Sequence, residues 1–170
     1  MSRGLRPVVR IDVEHQFGVS VQEGFDYMTE PANWPMYWPR FVCLDPESRW
    51  RAPGDRAHLT LRILARDVDL EMMLARLEPY RMVEYTSEQR GLPAARHWRH
   101  FQDADGGFTY RIVIEYFPRA GWRGLLDRTL VRQAITQTAR ETIRNLECRF
   151  REQWQPTDGA AGVAREGGRR

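Results

Sequence analysis

The stretch that decides the fold is RHWRHFQDADGGFTYRIVIEYF, residues 96–117. Asp-Gly is a favoured two-residue hairpin turn, and Asp105-Gly106 separates two runs in which apolar and polar residues alternate. A turn there predicts two antiparallel strands with Arg99 opposite Ile112, whereas a bulge within DADGG would reverse the faces of one strand. The apolar row that should face the core comprises Phe108, Tyr110, Ile112, Ile114 and Tyr116.

Alternating patterns elsewhere predict a sheet built largely of hairpins. In VVRIDVEHQF, Val13 and His15 share one face of a first strand. SVQE follows, with Ser20 at the N-cap and Glu23 three residues later, which predicts a capping box and a helix ending at about residue 30. Pro31 suits the first turn of a second short helix. Further strands are predicted at 41–45, 57–64, 67–74 and 82–88.

The strands 57–64 and 67–74 are expected to form a hairpin. With Ala65-Arg66 as its turn, Arg62 lies opposite Asp69 on an outer, charged face. The acidic alternation of the second strand is then a solvated face rather than a metal site.

Beyond Pro118 the period becomes helical and predicts a long amphipathic helix that reaches about Trp154. Its stripe comprises Val131, Ile135, Thr138, Thr142, Leu146 and Phe150. Residues 1–155 are therefore expected to form one α+β domain, and the Gly-, Ala- and Arg-rich tail 156–170 is predicted to be disordered. Such a helix can bury its stripe only against the concave face of the sheet, which leaves room for a pocket.

Composition excludes several kinds of site. All 26 basic residues are arginine, so no lysine is present for a Schiff base, a P-loop or a Ser–Lys pair. The net charge of +3 comes from interleaved acids and bases, which disfavours a nucleic-acid surface.

Cys43 and Cys148 lack CxxC spacing and suit a reducing compartment. No signal segment and no run of ~20 apolar residues is visible, so a cytoplasmic location is expected. His97 and His100 would point to opposite faces of a strand, so we predict no metal and no cofactor.

The order of elements resembles the SRPBCC superfamily, whose members are also called START-like, helix-grip or polyketide cyclase/dehydrase-like domains. The motifs that carry the resemblance are TEPANWPMYWPRF, APGDR, DGGFTYRIVIEYFPR and GLLDRTLVRQAITQTARETIRNL. The resemblance covers residues 8–154. It implies a curved antiparallel sheet of about seven strands around the C-terminal helix, with two short helices after the first strand. Members bind lipids, quinones, plant hormones or polyketides, some cyclise polyketides, and others assist chaperones, so fold does not decide function.

Candidate site residues are the polar groups on inward faces. Arg99 and His97 share the inward face of the hairpin strand, and His15 joins them from the first strand. An unpaired buried charge is costly, so Arg99 needs either an internal acid or an anionic ligand group such as a carboxylate, phenolate or enolate. In the first case His97 would bond a backbone carbonyl. Tyr85 and Tyr110 are expected to add hydroxyl groups.

A second candidate region is NWPMYWPRF, residues 33–41, which crowds aromatic side chains where the second short helix meets the second strand. The prolines stop the helix there. Trp34 is predicted to plug this corner. Tyr37 and Trp38 are expected at the pocket mouth, with Trp38 as the ligand contact.

Two functions follow from these residues. The first is a binding module for a hydrophobic, partly anionic molecule such as a lipid, a quinone or a polyketide-like compound. The alternative is a polyketide cyclase, aromatase or dehydratase in which Arg99 polarises a carbonyl and His97 or Tyr110 relays protons.

A chaperone-assisting role has little support. GWRGLLDR allows transient membrane contact through Trp122, although packing against the sheet rim is favoured. Monomer and homodimer both remain open.

Overall fold

The computed structural model describes residues 8–63 and 66–153, which form a sheet layer and a helix layer. The strands are β1 (Val9–Phe17), β2 (Phe41–Leu44), β3 (Arg56–Ile63), β4 (Arg66–Glu78), β5 (Met82–Gln89), β6 (Ala95–Ala104) and β7 (Gly107–Tyr116). They form one curved antiparallel sheet in the order β1-β7-β6-β5-β4-β3-β2. Register shifts between Phe41 and Cys43 and between Leu74 and Arg76 mark bulges, which increase local twist.

Two short helices follow β1, and a long helix ends the described chain. The helices are α1 (Val21–Thr29), α2 (Trp34–Tyr37), α3 (Trp122–Leu126) and α4 (Arg132–Gln153). A 3₁₀ turn, Pro31–Asn33, precedes α2, and a π-helical turn, Asp127–Val131, joins α3 to α4. The capping box of Ser20 and Glu23 is confirmed, and so is the predicted α+β helix-grip architecture.

The β6–β7 hairpin has the predicted register. It turns at Asp105-Gly106, with Gly106 at a φ of 77°, a conformation that glycine adopts without steric cost. Arg99 pairs with Ile112 and His97 with Ile114. Every residue of the predicted apolar row is buried, so the inner face of this hairpin is the one that the alternation predicts.

The predicted β3–β4 register is wrong by two residues. Arg62 pairs with Asp67 rather than Asp69, and its Nε donates to Asp67 Oδ1 at 2.9 Å. Thr60 correspondingly pairs with Asp69 and donates to its Oδ1 at 2.8 Å. A shift of two residues leaves every side chain on its predicted face. The hydrophobic pattern therefore cannot distinguish these registers, whereas direct hydrogen bonds can.

The long helix α4 crosses the concave face of the sheet and buries one stripe, which comprises Ala139, Thr142, Ile143, Leu146 and Phe150. Its backbone approaches β1 and α2 most closely. Near its C-terminus, Asn145 Nδ2 donates to the Tyr37 carbonyl at 3.0 Å, and the Phe150 ring meets Phe17 edge-on with centroids 5.2 Å apart. Trp154, where the sequence predicts the helix end, and the tail 156–170 lie outside the described residues.

The aromatic corner at residues 33–41 packs as a structural plug, except for Trp38, which turns toward the sheet. Trp34 and Tyr37 are both buried and donate to the Met28 carbonyl, at 3.2 and 2.8 Å. Burial raises the pKa of Tyr37 to about 12. Trp34 thus plugs the corner as predicted, but a mouth position for Tyr37 is wrong because its hydroxyl serves to hold α1. Trp38 stacks on Trp34 with centroids 5.5 Å apart and turns toward the sheet.

No helix in the two described ranges is long and apolar enough to cross a membrane.

Candidate functional site

A cavity of about 490 Å³ separates the sheet from the N-terminal half of α4. Inward residues of β3 to β7 form its floor, because alternate residues of a strand share a face. Its apolar wall comprises Pro39, Leu61, Leu70, Met72, Leu92, Ala95, Ile112, Ile114, Leu130, Val131, Ala134, Ile135 and Ala139. This volume lies within the range of about 300–1,000 Å³ that is usual for small-molecule sites.

The polar wall of the cavity carries positive charge without negative charge. It comprises Trp38, Arg40, Tyr85, Ser87, Gln89, His97, Arg99, Gln133, Gln137, Thr138 and Thr142. No Asp or Glu of the described chain lines the cavity, whereas two arginines do. Such a lining suits a hydrophobic molecule that carries an anionic or electron-rich oxygen.

Arg99 projects from the middle of β6 into this cavity. Its Nη2 donates to the Tyr85 hydroxyl at 2.9 Å, and its guanidinium carbon lies 5.3 Å from the ring centre of Trp38. Its Nε is buried without a hydrogen-bond partner, and no ion pair to it occurs within residues 8–63 and 66–153. Burial lowers the pKa of Arg99, whereas the electrostatic interactions with Tyr110, Tyr85 and Tyr37 raise it, and the net shift is upward. The guanidinium is therefore a permanent cation, and the predicted alternative of an internal acid partner is not met in the described chain.

His97 stands beside Arg99 on the same face and is neutral. Its ring stacks flat on Tyr85, with centroids 4.4 Å apart and an interplanar angle of 3°. Its Nε2 lies 2.8 Å from Ser87 Oγ, so a side-chain hydroxyl rather than a backbone carbonyl holds the ring. Burial, and to a smaller extent the Arg99 charge, lowers the pKa of His97 to about 3. A neutral imidazole can donate or accept a hydrogen bond, depending on its tautomer.

Buried polar atoms without partners concentrate around Arg99. Of five such side-chain atoms in the described residues, four belong to this neighbourhood: Arg99 Nε, Trp38 Nε1, His97 Nδ1 and the Tyr110 hydroxyl. Buried polar groups are nearly always hydrogen-bonded, because leaving one unpaired costs about 1–3 kcal/mol. Three of the four residues, Arg99, Trp38 and His97, line the cavity, which is the pattern expected where a ligand supplies the missing partner.

Arg40 lies at the open edge of the cavity. Its φ of 59° is uncommon for a residue other than glycine, and such strain concentrates at functional sites. The side chain reaches toward α4, with Nη2 3.8 Å from Glu141 Oε1. Its carbonyl accepts from the Arg62 backbone N–H at 2.8 Å. Arg40 thereby connects the aromatic corner, the sheet and the helix along one side of the opening.

Four of the six residues predicted to bind ligand line the cavity together: Trp38, Tyr85, His97 and Arg99. Tyr110 is fully buried and does not line it. Burial raises the pKa of Tyr110 more than the Arg99 charge lowers it, so its hydroxyl stays protonated. Tyr110 therefore stands behind Arg99, packed against the Phe101 ring at 5.1 Å between centroids.

His15 faces inward as predicted but lies away from the cavity. Because α4 packs directly on β1, the His15 ring rests edge-on against Phe17, at 4.7 Å, and its Nε2 lies 3.9 Å from Glu147 Oε2. It borders a separate open groove between β1 and α4. Alternation predicts the face of His15 correctly, but it does not predict which part of the sheet the helix covers.

Several cavity residues were not predicted from the sequence. Ser87 follows Tyr85 by two residues, so strand alternation could have identified it. Thr138 and Thr142 stand within the predicted apolar stripe of the long helix, where a polar residue is a usable signal of a site. Gln133 lies one helical turn before Gln137, and this spacing is the only feature of the sequence that could have placed it on the cavity side of the helix.

The part of the chain that the structure describes contains no cluster of side chains suited to binding a metal ion. No group of three or more His, Cys, Asp or Glu side chains there could hold a metal ion. Cys43 and Cys148 are exposed free thiols. The polar groups of the cavity are guanidinium, imidazole, hydroxyl, amide and indole.

Sequence comparisons find no relative: no family model and no curated protein matches the chain. Solved structures do match. The protein TTHA0849 from Thermus thermophilus has a TM-score of 0.71 at 13% identity, covering 86% of this chain and 100% of that one. The di-domain ARO/CYC StfQ from the steffimycin biosynthetic pathway has a TM-score of 0.70 at 16% identity, covering 83% of this chain and 50% of StfQ. Ara h 8.0201 has a TM-score of 0.67 at 15% identity, covering 84% and 96%.

These similarities are structural, since identities this low show the fold alone. The chain has the helix-grip fold, as its element order predicts. A role for this chain must come from its own cavity residues, because one fold serves many functions.

Proposed function

We propose that this protein binds a hydrophobic small molecule that carries an anionic or enolisable oxygen group. The apolar part of the ligand lies against the aliphatic wall of the cavity, and the oxygen group lies at Arg99. One observation carries the proposal: Arg99 is a cation that donates to a neutral hydroxyl, in a cavity whose described lining holds no carboxylate. Acidic lipids and polyketide-like compounds offer this combination, and a quinone offers an electron-rich carbonyl oxygen in its place.

The energetics favour a ligand as the missing partner of Arg99. Removing a guanidinium from water costs several kcal/mol, which contacts with neutral hydroxyl groups and aromatic rings do not fully offset. A carboxylate or enolate would form short, charge-assisted hydrogen bonds with the guanidinium. The indole Nε1 of Trp38 is a further donor without a partner. Because Tyr85 accepts from Arg99, its own hydroxyl proton remains available for a ligand oxygen.

The test of this proposal uses the purified full chain. Solvent extraction followed by mass spectrometry identifies any co-purified molecule, and displacement of the dye anilinonaphthalene sulfonate measures binding. Dodecanoic acid and dodecanol form a matched pair of probes, because they differ only in the head group. We expect the acid to displace the dye at a concentration at least tenfold lower, since a charged hydrogen bond is worth about 1.5–3 kcal/mol. An empty protein that binds neither dye nor acid would refute the proposal.

A second candidate function is polyketide cyclisation. The observation that favours it is the adjacency of Arg99 and His97 on one cavity face, in a chain whose fold matches the ARO/CYC protein StfQ. Arg99 would stabilise an enolate oxygen, and neutral His97 would accept the proton from the adjacent carbon. A pKa near 3 makes His97 a weak base in the empty cavity. A bound enolate would raise that pKa, because an adjacent negative charge favours the imidazolium.

Cyclisation is tested by supplying an uncyclised poly-β-ketone from a minimal polyketide synthase and comparing products with and without the protein. Arg99→Met and His97→Gln should each shift the products back toward spontaneous cyclisation. The matched control is Arg111→Met, an exposed arginine on the next strand that pairs with Asp12. If both cavity variants gave the wild-type product distribution, cyclisation by these residues would be abandoned.

A further inference from the structure

Four large apolar side chains are exposed in the segment that leads into α4. The exposed fractions are 58% for Phe117, 71% for Trp122, 66% for Leu125 and 61% for Leu130. Packing against the sheet rim, the favoured sequence interpretation of GWRGLLDR, is therefore wrong for Trp122 and Leu125. We call these four residues the apolar rim. Exposed apolar side chains concentrated in one segment mark a surface that contacts a partner or a membrane.

The apolar rim is held rigidly, so its exposure is a property of the fold. The buried Asp127 carboxylate accepts from the Arg119 backbone N–H at 2.8 Å and from its guanidinium at 2.7 Å. The Tyr116 hydroxyl donates to the Asp127 carbonyl at 2.5 Å. Gly124 lies so close to Arg119 that a Cβ would stand 2.2 Å from the Arg119 carbonyl oxygen. These contacts bury Asp127, fix the segment between β7 and α4, and leave its apolar side chains outside.

Positive charge surrounds the apolar rim. Arg123, Arg128 and Arg132 flank it and form no ion pair within the described ranges. Residues 117–132 contain a single acid, Asp127, which Arg119 already neutralises. An apolar edge flanked by arginines matches the surface of an anionic bilayer, where side chains enter the acyl boundary and guanidinium groups meet phosphates.

The apolar rim is continuous with the cavity. Leu130 belongs to both: it is exposed to solvent and also lines the cavity, where Val131 and Ala134 follow it. A molecule that leaves a bilayer at the rim would meet apolar side chains along the whole path into the cavity. Charge disfavours the other obvious occupant, a second copy of this chain, because a two-fold contact would oppose Arg123 and Arg128 to themselves.

We propose that the apolar rim docks on an anionic lipid surface and that the cavity exchanges its hydrophobic ligand with that surface. The exchange rests on the proposed function, whereas the docking stands on the exposed residues alone. The two are therefore tested by separate measurements.

Docking is tested by co-sedimentation of the full chain with vesicles of phosphatidylcholine, with and without about one third phosphatidylglycerol. We expect binding to the anionic vesicles that weakens in high salt. Arg123→Gln and Arg128→Gln should each lower the partition coefficient about fivefold, since one arginine near such a surface contributes about 1 kcal/mol. Trp122→Ser and Leu125→Ser should lower it at least about tenfold, because each removes apolar area from the acyl boundary.

Matched controls are Met36→Ser and Arg81→Gln, which change an exposed apolar residue and an exposed arginine distant from the rim. Both should bind vesicles as the wild type does. Equal binding to neutral and anionic vesicles, or no binding, would overturn the docking proposal. So would a dimer in analytical ultracentrifugation that Trp122→Ser dissociates while vesicles bind neither form.

The exchange is tested with a pyrene-labelled fatty acid in the same vesicles. Trp122→Ser should slow transfer to the protein at least about tenfold, in line with its weaker docking, while dye displacement in solution stays unchanged. Transfer at the wild-type rate would overturn the exchange proposal. A wild-type protein that binds vesicles but no fatty acid would overturn the proposed function and the exchange, and leave the docking standing.

Discussion

Replacing Arg99 with methionine should change stability and ligand binding in opposite directions. Methionine keeps an unbranched apolar stem of similar length to that of arginine, but it lacks the guanidinium and so removes the charge and the hydrogen bond to Tyr85. If the guanidinium is present to meet a ligand, the empty protein bears its desolvation cost without full compensation. If the guanidinium instead has a structural role, its contacts stabilise the empty protein.

The magnitude follows from the contacts of Arg99. Its charged hydrogen bond to Tyr85 is worth about 1.5–3 kcal/mol, and the contacts with the Trp38 and Tyr85 rings add about 0.5–2 kcal/mol. Desolvation of the guanidinium costs several kcal/mol, and replacing buried charges by apolar groups often stabilises a protein by about 1–4 kcal/mol. We therefore expect Arg99→Met to raise the free energy of unfolding by about 1 kcal/mol, or the Tm by about 2–4 °C.

Binding of a hydrophobic acid should weaken strongly in the same variant. Removing one partner of a buried charge pair costs about 2–5 kcal/mol, which is roughly 30- to 5,000-fold in Kd. Dodecanol, which has no charge to lose, should bind the variant about as well as the wild type. Urea titration and dye displacement provide the two measurements.

The control for Arg99→Met is Arg111→Met, which removes an exposed arginine and its surface ion pair with Asp12. It should alter stability by less than about 1 kcal/mol and leave both ligands unaffected. A ligand-binding role for Arg99 is refuted if Arg99→Met lowers the free energy of unfolding by more than about 1 kcal/mol, since Arg99 would then be structural. It is also refuted if the variant binds the acid with wild-type affinity.

Three further predictions concern the histidine, the cavity and the buried acid. The folded protein keeps His97 neutral down to about pH 3, whereas the unfolded chain protonates this residue near its ordinary pKa of 6.5. Between these two pH values the unfolded state therefore binds one more proton than the folded state. The free energy of unfolding should fall as the pH falls through this range, by up to about 1.4 kcal/mol per pH unit. His97→Gln should flatten that slope in urea titrations. Ala134→Phe should fill the cavity and weaken dye binding at least about tenfold, because the ring occupies ligand volume; fluorescence titration measures this. Asp127→Asn should lower the free energy of unfolding by about 1.5–3 kcal/mol, since the charged hydrogen bonds from Arg119 are lost while water can still solvate the guanidinium; urea titration measures this as well.

Each of these predictions has a contradicting result. His58 is exposed, so His58→Gln is the control, and a slope that changes equally in both variants would contradict the assignment to His97. For the cavity, Ala134→Ser is the control, and dye bound equally by the Phe and Ser variants would place the binding site elsewhere. An Asp127→Asn protein with wild-type stability would show that this carboxylate does not hold the turn before α4.

The sequence predicts the fold well where a local signal and the side-chain pattern agree. At the β6–β7 hairpin, Asp105-Gly106 sets the turn, the apolar row sets the faces, and the register follows. At the β3–β4 hairpin no strong turn dipeptide exists, and a two-residue slip keeps every face unchanged. The error there follows from the symmetry of the pattern rather than from its absence.

The candidate site is predicted less completely, because alternation gives the face of a residue and not its depth along the sheet. Arg99 and His97 line the cavity, whereas His15, on an equally inward face, lies under α4 instead. Tyr110 is inward but fully buried. The exposure of Trp122 depends on the buried contacts of Asp127, which connect residues eight apart through a side chain. No local periodicity encodes these long-range contacts.

The most direct test of ligand binding at Arg99 is a crystal structure of the full chain with dodecanoic acid. We expect the acyl chain between the sheet and α4, with a carboxylate oxygen about 2.7–2.9 Å from the Arg99 guanidinium. A carboxylate in the open groove beside His15, or a chain in the cavity whose carboxylate avoids Arg99, would contradict it.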